Sequence, residues 1–156
     1  MGNALYTRTV PNSWTDYNGH MNDAAYAAAF SHAGEALIER IGLDADGRSR
    51  HGYTIFTLET HIVYLNEVHE EEEISISVQF LDYDQKRLHL FYTMYNASGE
   101  RAAVSEQMFM GMDTATEHPA PFPEPVYAEV EMLAASDKNL ERPHEAGRTI
   151  GIRRKG

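Results

Sequence analysis

The order of elements along this chain predicts an α+β fold, a long central helix wrapped by a twisted antiparallel β-sheet. Three observations predict it. An alanine-rich stretch from Asn22 to Ile41 reads as a helix, with Ala24, Ala25, Ala27, Ala28, Ala29, Ala33 and Ala36 spread round most of its circumference. Small side chains on every side are expected of a helix packed closely against backbone; a surface helix carries a narrower apolar stripe. After it come four consecutive β-rich segments, the first three alternating with period two, the signature of strands with one face buried. The dimensions also agree. A helix of about 20 residues is roughly 30 Å long, and strands of about 11–15 residues reach roughly 35–50 Å, so a twisted sheet of that length can curl round the helix.

The elements follow in order. Leu5 to Pro11 is a short strand ended by proline. Residues 12–21 are a loop rich in Asn, Asp, Ser and Gly. Asn22 or Asp23 supplies the helix N-cap, and Gly42 followed by Leu43 supplies the stop. Asp44 to His51 is a polar connection. In Gly52 to Asn66, Ile55, Thr57, Glu59, His61 and Val63 fall on one face, and Phe56, Leu58, Thr60, Ile62 and Tyr64 on the other. Glu73 to Tyr83 turns at Asp84-Gln85 into Lys86 to Asn96, and Ser98-Gly99 turns into Glu100 to Met112. Residues 116–125 hold four of the six prolines and form a connector. Val126 to Ala135 is a short amphipathic helix. Residues 1–136 then form one domain, and 137–156 a polar, basic tail expected to be mobile.

Composition excludes several functions. The net charge of -11 repels nucleic acid, whose binding rests on Lys and Arg contacts to phosphate. The same field favours a cationic small molecule, and a polyanionic ligand needs a local basic patch. With no cysteine there is no disulfide, thiolate metal site or cysteine nucleophile, as suits the cytoplasm. No secretory signal or membrane-spanning run is visible. The eight histidines form no His-Glu-x-x-His motif, so no metal is expected. A Gly-x-Ser-x-Gly elbow and a glycine-rich nucleotide loop are also missing from the sequence.

One segment carries chemistry. In WTDYNGHMN, Trp14 to Asn22, the carboxylate of Asp16 stands just before the helix, with Asn18-Gly19 as a turn between them and Trp14 and Tyr17 flanking it. A carboxylate facing the amide donors of a helix N-terminus has the parts to hydrolyse an ester or thioester. The acid attacks or activates water, and the helix end holds the oxyanion. Read alone, Asp16 is as well explained as a loop carboxylate capping its own turn.

Asp16, Gly19-His20-Met21-Asn22 and the following helix with Tyr26 resemble the hotdog fold, in particular the 4-hydroxybenzoyl-CoA thioesterase-like group. His61 to Leu65, Leu81 to Asp84 and Lys86 to His89 resemble a narrower subgroup, the betainyl-CoA thioesterases of bacterial carnitine catabolism. The resemblance implies an acyl-CoA thioesterase in which Asp16 is nucleophile or general base, and the backbone N–H groups of Asp23 and Ala24 hold the carbonyl oxygen. It implies support from Asn18 and His20, and a polar group from a facing subunit, for which Glu59 and His61 are candidates. Asn22 is a cap or a substrate contact. Trp14, Tyr17 and Tyr26 are candidates for an aromatic cage round a trimethylammonium group, where ordinary core packing is the alternative for each. Lys86, Arg87 and Arg101, near the hairpins, are candidates for the coenzyme A phosphates. Coenzyme A then enters as part of the substrate, with no further cofactor. A homodimer or homotetramer is expected, because a single sheet of this kind has an open edge and an incomplete cleft. A non-catalytic acyl-CoA-binding module is the competing reading.

Overall fold

A computed structural model describes residues 4–155. Its strands are β1 (Tyr6–Thr9), β2 (Tyr53–Tyr64), β3 (Glu73–Tyr83), β4 (Arg87–Tyr95), β5 (Arg101–Asp113) and β6 (His118–Pro119). Its helices are α1 (Asp23–Arg40), α2 (Ala45–His51) and α3 (Glu124–Asp137). All pairings are antiparallel, in the order β1-β3-β4-β5-β2, with β6 on the end of β5. The sheet curls round α1, giving the α+β hotdog architecture expected from the sequence.

Helix α1 starts where its cap dictates. The Asn22 side chain accepts the Ala25 N–H at 2.9 Å, and the chain there is extended before the first helical residue. Ala25, Tyr26, Ala29, Phe30, Ala33, Gly34 and Leu37 are buried against the sheet. Gly34 permits the approach: a Cβ there would stand 3.2 Å from Cζ of Phe109 on β5. Burial all round the helix is not observed. Asp23, Ala27, Ser31, Glu35 and Glu39 form an exposed stripe, and the alanines on that side are open in the single chain. Between this stripe and β2 lies an open groove of about 380 Å³.

The polar connection after α1 is a helix, α2, not a loop. Asp44 accepts the Gly47 N–H at 2.8 Å as its cap, and Gly52 ends it in the left-handed conformation. Both signals stood in the sequence, but the stretch is too short and polar for periodicity to show them.

The faces of β2 also differ from a simple alternation. Its register against β5 shifts between Thr57 and Glu59, so Leu58 is an extra residue. Thr57 pairs with Phe109 and Thr60 with Gln107, whereas Glu59 pairs with Met108 and His61 with Glu106. Phe109, Gln107 and Ser105 share the inner face with Tyr92, whose ring packs on Phe30 of α1. Thr57, Thr60, Ile62 and Tyr64 therefore face the helix, and Glu59, His61 and Val63 face outward. One extra residue reverses everything beyond it, because side chains alternate with a period of two.

The end of α3 and the segment beyond it are held to the sheet rather than free. Asp137 accepts the Phe80 N–H at 2.8 Å, where β1 is too short to cover the β3 edge, and Gln79 donates to the Glu141 carbonyl at 3.1 Å. Glu145, 7% exposed, takes a two-pronged hydrogen bond from Arg101 at 2.7 and 3.2 Å, and Gly147 N–H donates to Glu106 at 2.7 Å. The chain thus runs as a strap from β3 over β5 to β2, without regular structure of its own.

Candidate active site

The Asp16 loop is a closed turn whose ends meet in a bridge between Thr15 and Met21. Asp16 N–H donates to the His20 carbonyl at 2.9 Å, and Gly19 N–H donates to the Asp16 carbonyl at 3.0 Å. Gly19 sits at a φ of +75°, which an L side chain resists. The Asp16 Oδ1 atom accepts the N–H groups of Asn18 at 2.8 Å and His20 at 3.1 Å. One carboxylate oxygen therefore organises the turn, while Oδ2 has no partner among the described residues and the group is exposed. The structural and chemical readings of Asp16 are compatible, because they use different oxygens.

The turn is seated on the connection between β2 and β3. Met21 N–H donates to the Val68 carbonyl at 2.8 Å, and Glu70 N–H donates to the Gly19 carbonyl at 3.0 Å. Next to it, α1 begins. Of the two backbone donors proposed for the oxyanion, Ala24 N–H is held by the Asp23 carboxylate at 2.9 Å. The Asp23 N–H has no acceptor among the described residues and lies at the positive end of the helix dipole.

The other candidates are distributed as follows. Trp14 carries the Arg8 guanidinium 4.5 Å above its ring and stacks with His32, so that ring already has a cation. Tyr17 is 96% exposed and touches no cage within one chain. Tyr26 is buried, donates to the Asn66 carbonyl at 3.2 Å, and meets the Tyr64 ring edge-on at 5.1 Å. Burial holds the Tyr26 hydroxyl above the usual phenol range, so it stays a donor. Tyr64 is half-exposed, and its hydroxyl donates to the Asp23 carbonyl at 3.4 Å. The sequence carries no signal for Tyr64 at this site, because only the β2 bulge turns it toward the start of α1. Asn22 acts as the helix cap. His20 points its ring at Glu67, with Nε2 3.4 Å from that carboxylate.

Glu59 and His61 lie on the outer face of β2, away from α1, lining a cavity of about 540 Å³ with His89, Glu106 and Arg148. There His89 Nε2 and Glu106 are 2.6 Å apart. Of the basic candidates, Arg87 is tied to Asp84, Nε to Oδ2 at 2.6 Å, and Arg101 is tied to Glu145. Lys86 is exposed and makes no ion pair among the described residues. Arg148 and Arg153 of the strap lie beside His61 to Tyr64 on β2, in a groove of about 240 Å³. Their local sequence carries no signal for this beyond the basic character of the segment.

A carboxylate with one anchored and one open oxygen, in the turn that leads into a helix whose first N–H has no acceptor among the described residues, has the parts for attack on an activated carbonyl. Fold and site together define a hotdog-fold hydrolase of acyl thioesters. The chain belongs to the thioesterase-like superfamily, whose family model matches residues 10–130. It is 41% identical to a betainyl-CoA thioesterase of Pseudomonas aeruginosa over 148 residues, 94% of this chain and 93% of that protein. A solved structure of a Staphylococcus aureus protein in complex with CoA superposes with a TM-score of 0.90 at 33% identity, covering 95% of this chain and 94% of that one. A putative thioesterase from Pseudomonas putida superposes with a TM-score of 0.84 at 40% identity, covering 97% of each chain. No helix among the described residues is long and apolar enough to cross a membrane.

Proposed function

We propose that this enzyme hydrolyses betainyl-CoA to glycine betaine and coenzyme A. The observation that carries the substrate is the 41% identity to a betainyl-CoA thioesterase over nearly the whole of both chains. The observation that supports the mechanism is the open Oδ2 of Asp16, whose other oxygen is anchored in the turn leading into α1. Asp16 acts as nucleophile, forming an acyl-enzyme anhydride that water then cleaves, or as a general base on water. In either route charge builds on the carbonyl oxygen and is met by the Asp23 N–H and the helix dipole. The thiolate of coenzyme A leaves, and the proton taken from water balances it. Single-turnover hydrolysis in ¹⁸O-labelled water tests for the first route, since label in the Asp16 carboxylate requires the anhydride and water attack at its aspartyl carbonyl.

The acyl group is a quaternary ammonium, which no hydrogen bond can hold. The faces of Tyr26 and Tyr64, the Asp23 carboxylate and the net charge of -11 supply what such a cation prefers. Coenzyme A is part of the substrate, and no cofactor is needed. Lys86, exposed and without an ion pair among the described residues, and the strap residues Arg148 and Arg153 are the basic groups assigned to its phosphates. The site works in at least a homodimer. Strand β2 pairs on one side only, exposes Phe56, Leu58 and Tyr64, and borders the open α1 groove. A second copy covers these surfaces in the way open sheet edges are normally covered.

The test is thiol release from betainyl-CoA, acetyl-CoA and benzoyl-CoA at matched concentrations. The proposal expects betainyl-CoA to have the highest kcat/KM. Faster cleavage of either neutral thioester overturns the substrate assignment, and coenzyme A binding without thiol release overturns the enzymatic one.

A further inference from the structure

The turn that holds Asp16 brings together three metal-ligating side chains that the hydrolytic mechanism does not use as a group. Residues 19–21 run antiparallel to residues 68–70, joined by Met21 N–H to the Val68 carbonyl at 2.8 Å and Glu70 N–H to the Gly19 carbonyl at 3.0 Å. Within this clamp His20 and His69 form an antiparallel bridge and stand directly opposite each other. Side chains opposite one another in such a pair start about 4.5–5.5 Å apart and share a face. The two imidazole centroids are 4.8 Å apart. Glu67 stands two residues before His69, so extended backbone puts it on the same side. Its carboxylate is 3.4 Å from His20 Nε2. One ligand atom from each of the three lies within 4.8 Å of the other two.

We propose that His20, Glu67 and His69 form a binding site for a divalent transition-metal ion of the zinc class. Two imidazoles and one carboxylate are a zinc-type ligand set, leaving a fourth tetrahedral position for water. Bonds of about 2.0–2.1 Å put tetrahedral ligand atoms roughly 3.4 Å apart. The present spacing therefore closes by about an ångström. The exposed Glu67 and His69 and the half-buried His20 achieve that by rotation, while the backbone clamp holds the Cβ atoms of His20 and His69 in place. Glu70, Glu71 and Glu73 extend the negative field of this region, and Glu72 braces it by accepting the His69 N–H at 2.9 Å. Because His20 N–H also bonds the Asp16 carboxylate, a bound ion fastens the catalytic turn to the β2–β3 connection. No local His spacing in the sequence announces the motif, because its members come from two distant segments.

The experiment is titration of chelator-treated full-length protein with Co²⁺, read by its visible d–d absorption, followed by displacement with Zn²⁺ against a chromophoric indicator. The expected result is one equivalent of tetrahedral Co²⁺ per chain, displaced by zinc. His69→Gln and Glu67→Gln should each weaken zinc at least about tenfold, since losing a ligand costs no less than losing a ligand's hydrogen-bond partner. His118→Gln, outside the cluster, should bind as wild type does. All three positions are exposed, and circular dichroism establishes that each variant is folded. Absence of a tetrahedral Co²⁺ spectrum in the wild type, or equal zinc affinity in His69→Gln and Glu67→Gln, overturns the proposal. Thiol release plays no part in this readout, so the site stands or falls independently of the substrate assignment.

Discussion

Replacing Asp16 by asparagine and by alanine separates the two jobs of its carboxylate. Oδ1 accepts two backbone N–H groups, at 2.8 and 3.1 Å, and Oδ2 is the oxygen left for chemistry. Asparagine keeps an oxygen in the first role and places an amide nitrogen in the second. Asp16→Asn should therefore fold like the wild type but lose about 100- to 10,000-fold in kcat, the usual worth of a positioned base, or about 2.7–5.4 kcal/mol of barrier. Asp16→Ala loses both roles. Two hydrogen bonds at about 0.5–1.5 kcal/mol each set the upper range of its stability cost, and exposure of the loop places it near the lower end, about 1 kcal/mol. In a domain of this size that is about 2–4 °C in Tm. The assay pairs thiol release with thermal unfolding. If Asp16→Asn keeps more than about a tenth of kcat, the chemical role assigned to Oδ2 is wrong. If it unfolds as early as Asp16→Ala, the division of labour between the oxygens is wrong.

Further perturbations probe the rest of the molecule. Tyr64→Ala should raise KM for betainyl-CoA about 2- to 30-fold, the span of about 0.5–2 kcal/mol for a cation–π contact, with kcat little changed; an unchanged KM removes Tyr64 from the ammonium site. Leu58→Glu, on the exposed edge of β2, should shift sedimentation toward monomer, and an unchanged sedimentation coefficient would place the interface elsewhere. Gly34→Val should cost about 1–3 kcal/mol by overpacking against Phe109, read by urea unfolding. Arg101→Met should cost about 1–2 kcal/mol at pH 7 by stranding the Glu145 carboxylate, a value reduced because Arg101 is itself partly exposed. The hydrogen bond from Arg101 holds the Glu145 carboxyl below its usual range, so its folded pKa is depressed. That stabilisation is present above the ordinary glutamate pKa of about 4.3 and lost as pH falls through the folded value. The gap in Tm between wild type and Arg101→Met should narrow from pH 7 toward pH 3, and a gap independent of pH would refute the pairing.

Much of the molecule was legible locally. The Asn22 cap, the Gly42 stop, the hairpin at Asp84-Gln85 and the turn at Ser98-Gly99 are short-range chemistry, and each falls where the sequence puts it. Asp16 with Asn18, Gly19 and His20 was also legible, because the turn is built from its own neighbours. What stayed hidden depends on partners far along the chain. One extra residue at Leu58 turns Glu59 and His61 outward and Tyr64 inward, and only pairing with β5 decides that. Arg101 reads as a free basic group until Glu145 meets it from far along the chain; the Arg87 pair with Asp84, three residues away, was local and legible. The strap read as a mobile tail because its hold lies in Asp137, Glu145 and Gly147 bonding to strands far earlier in the chain. The cluster of His20, Glu67 and His69 exists only because two loops are clamped together. Propensity, capping and turn chemistry act over a few residues, so the sequence by itself determined the elements, their order and the acid before the helix. Register, strand face and ion pairing are settled by contacts between distant segments, so the tertiary structure alone decided what surrounds that acid.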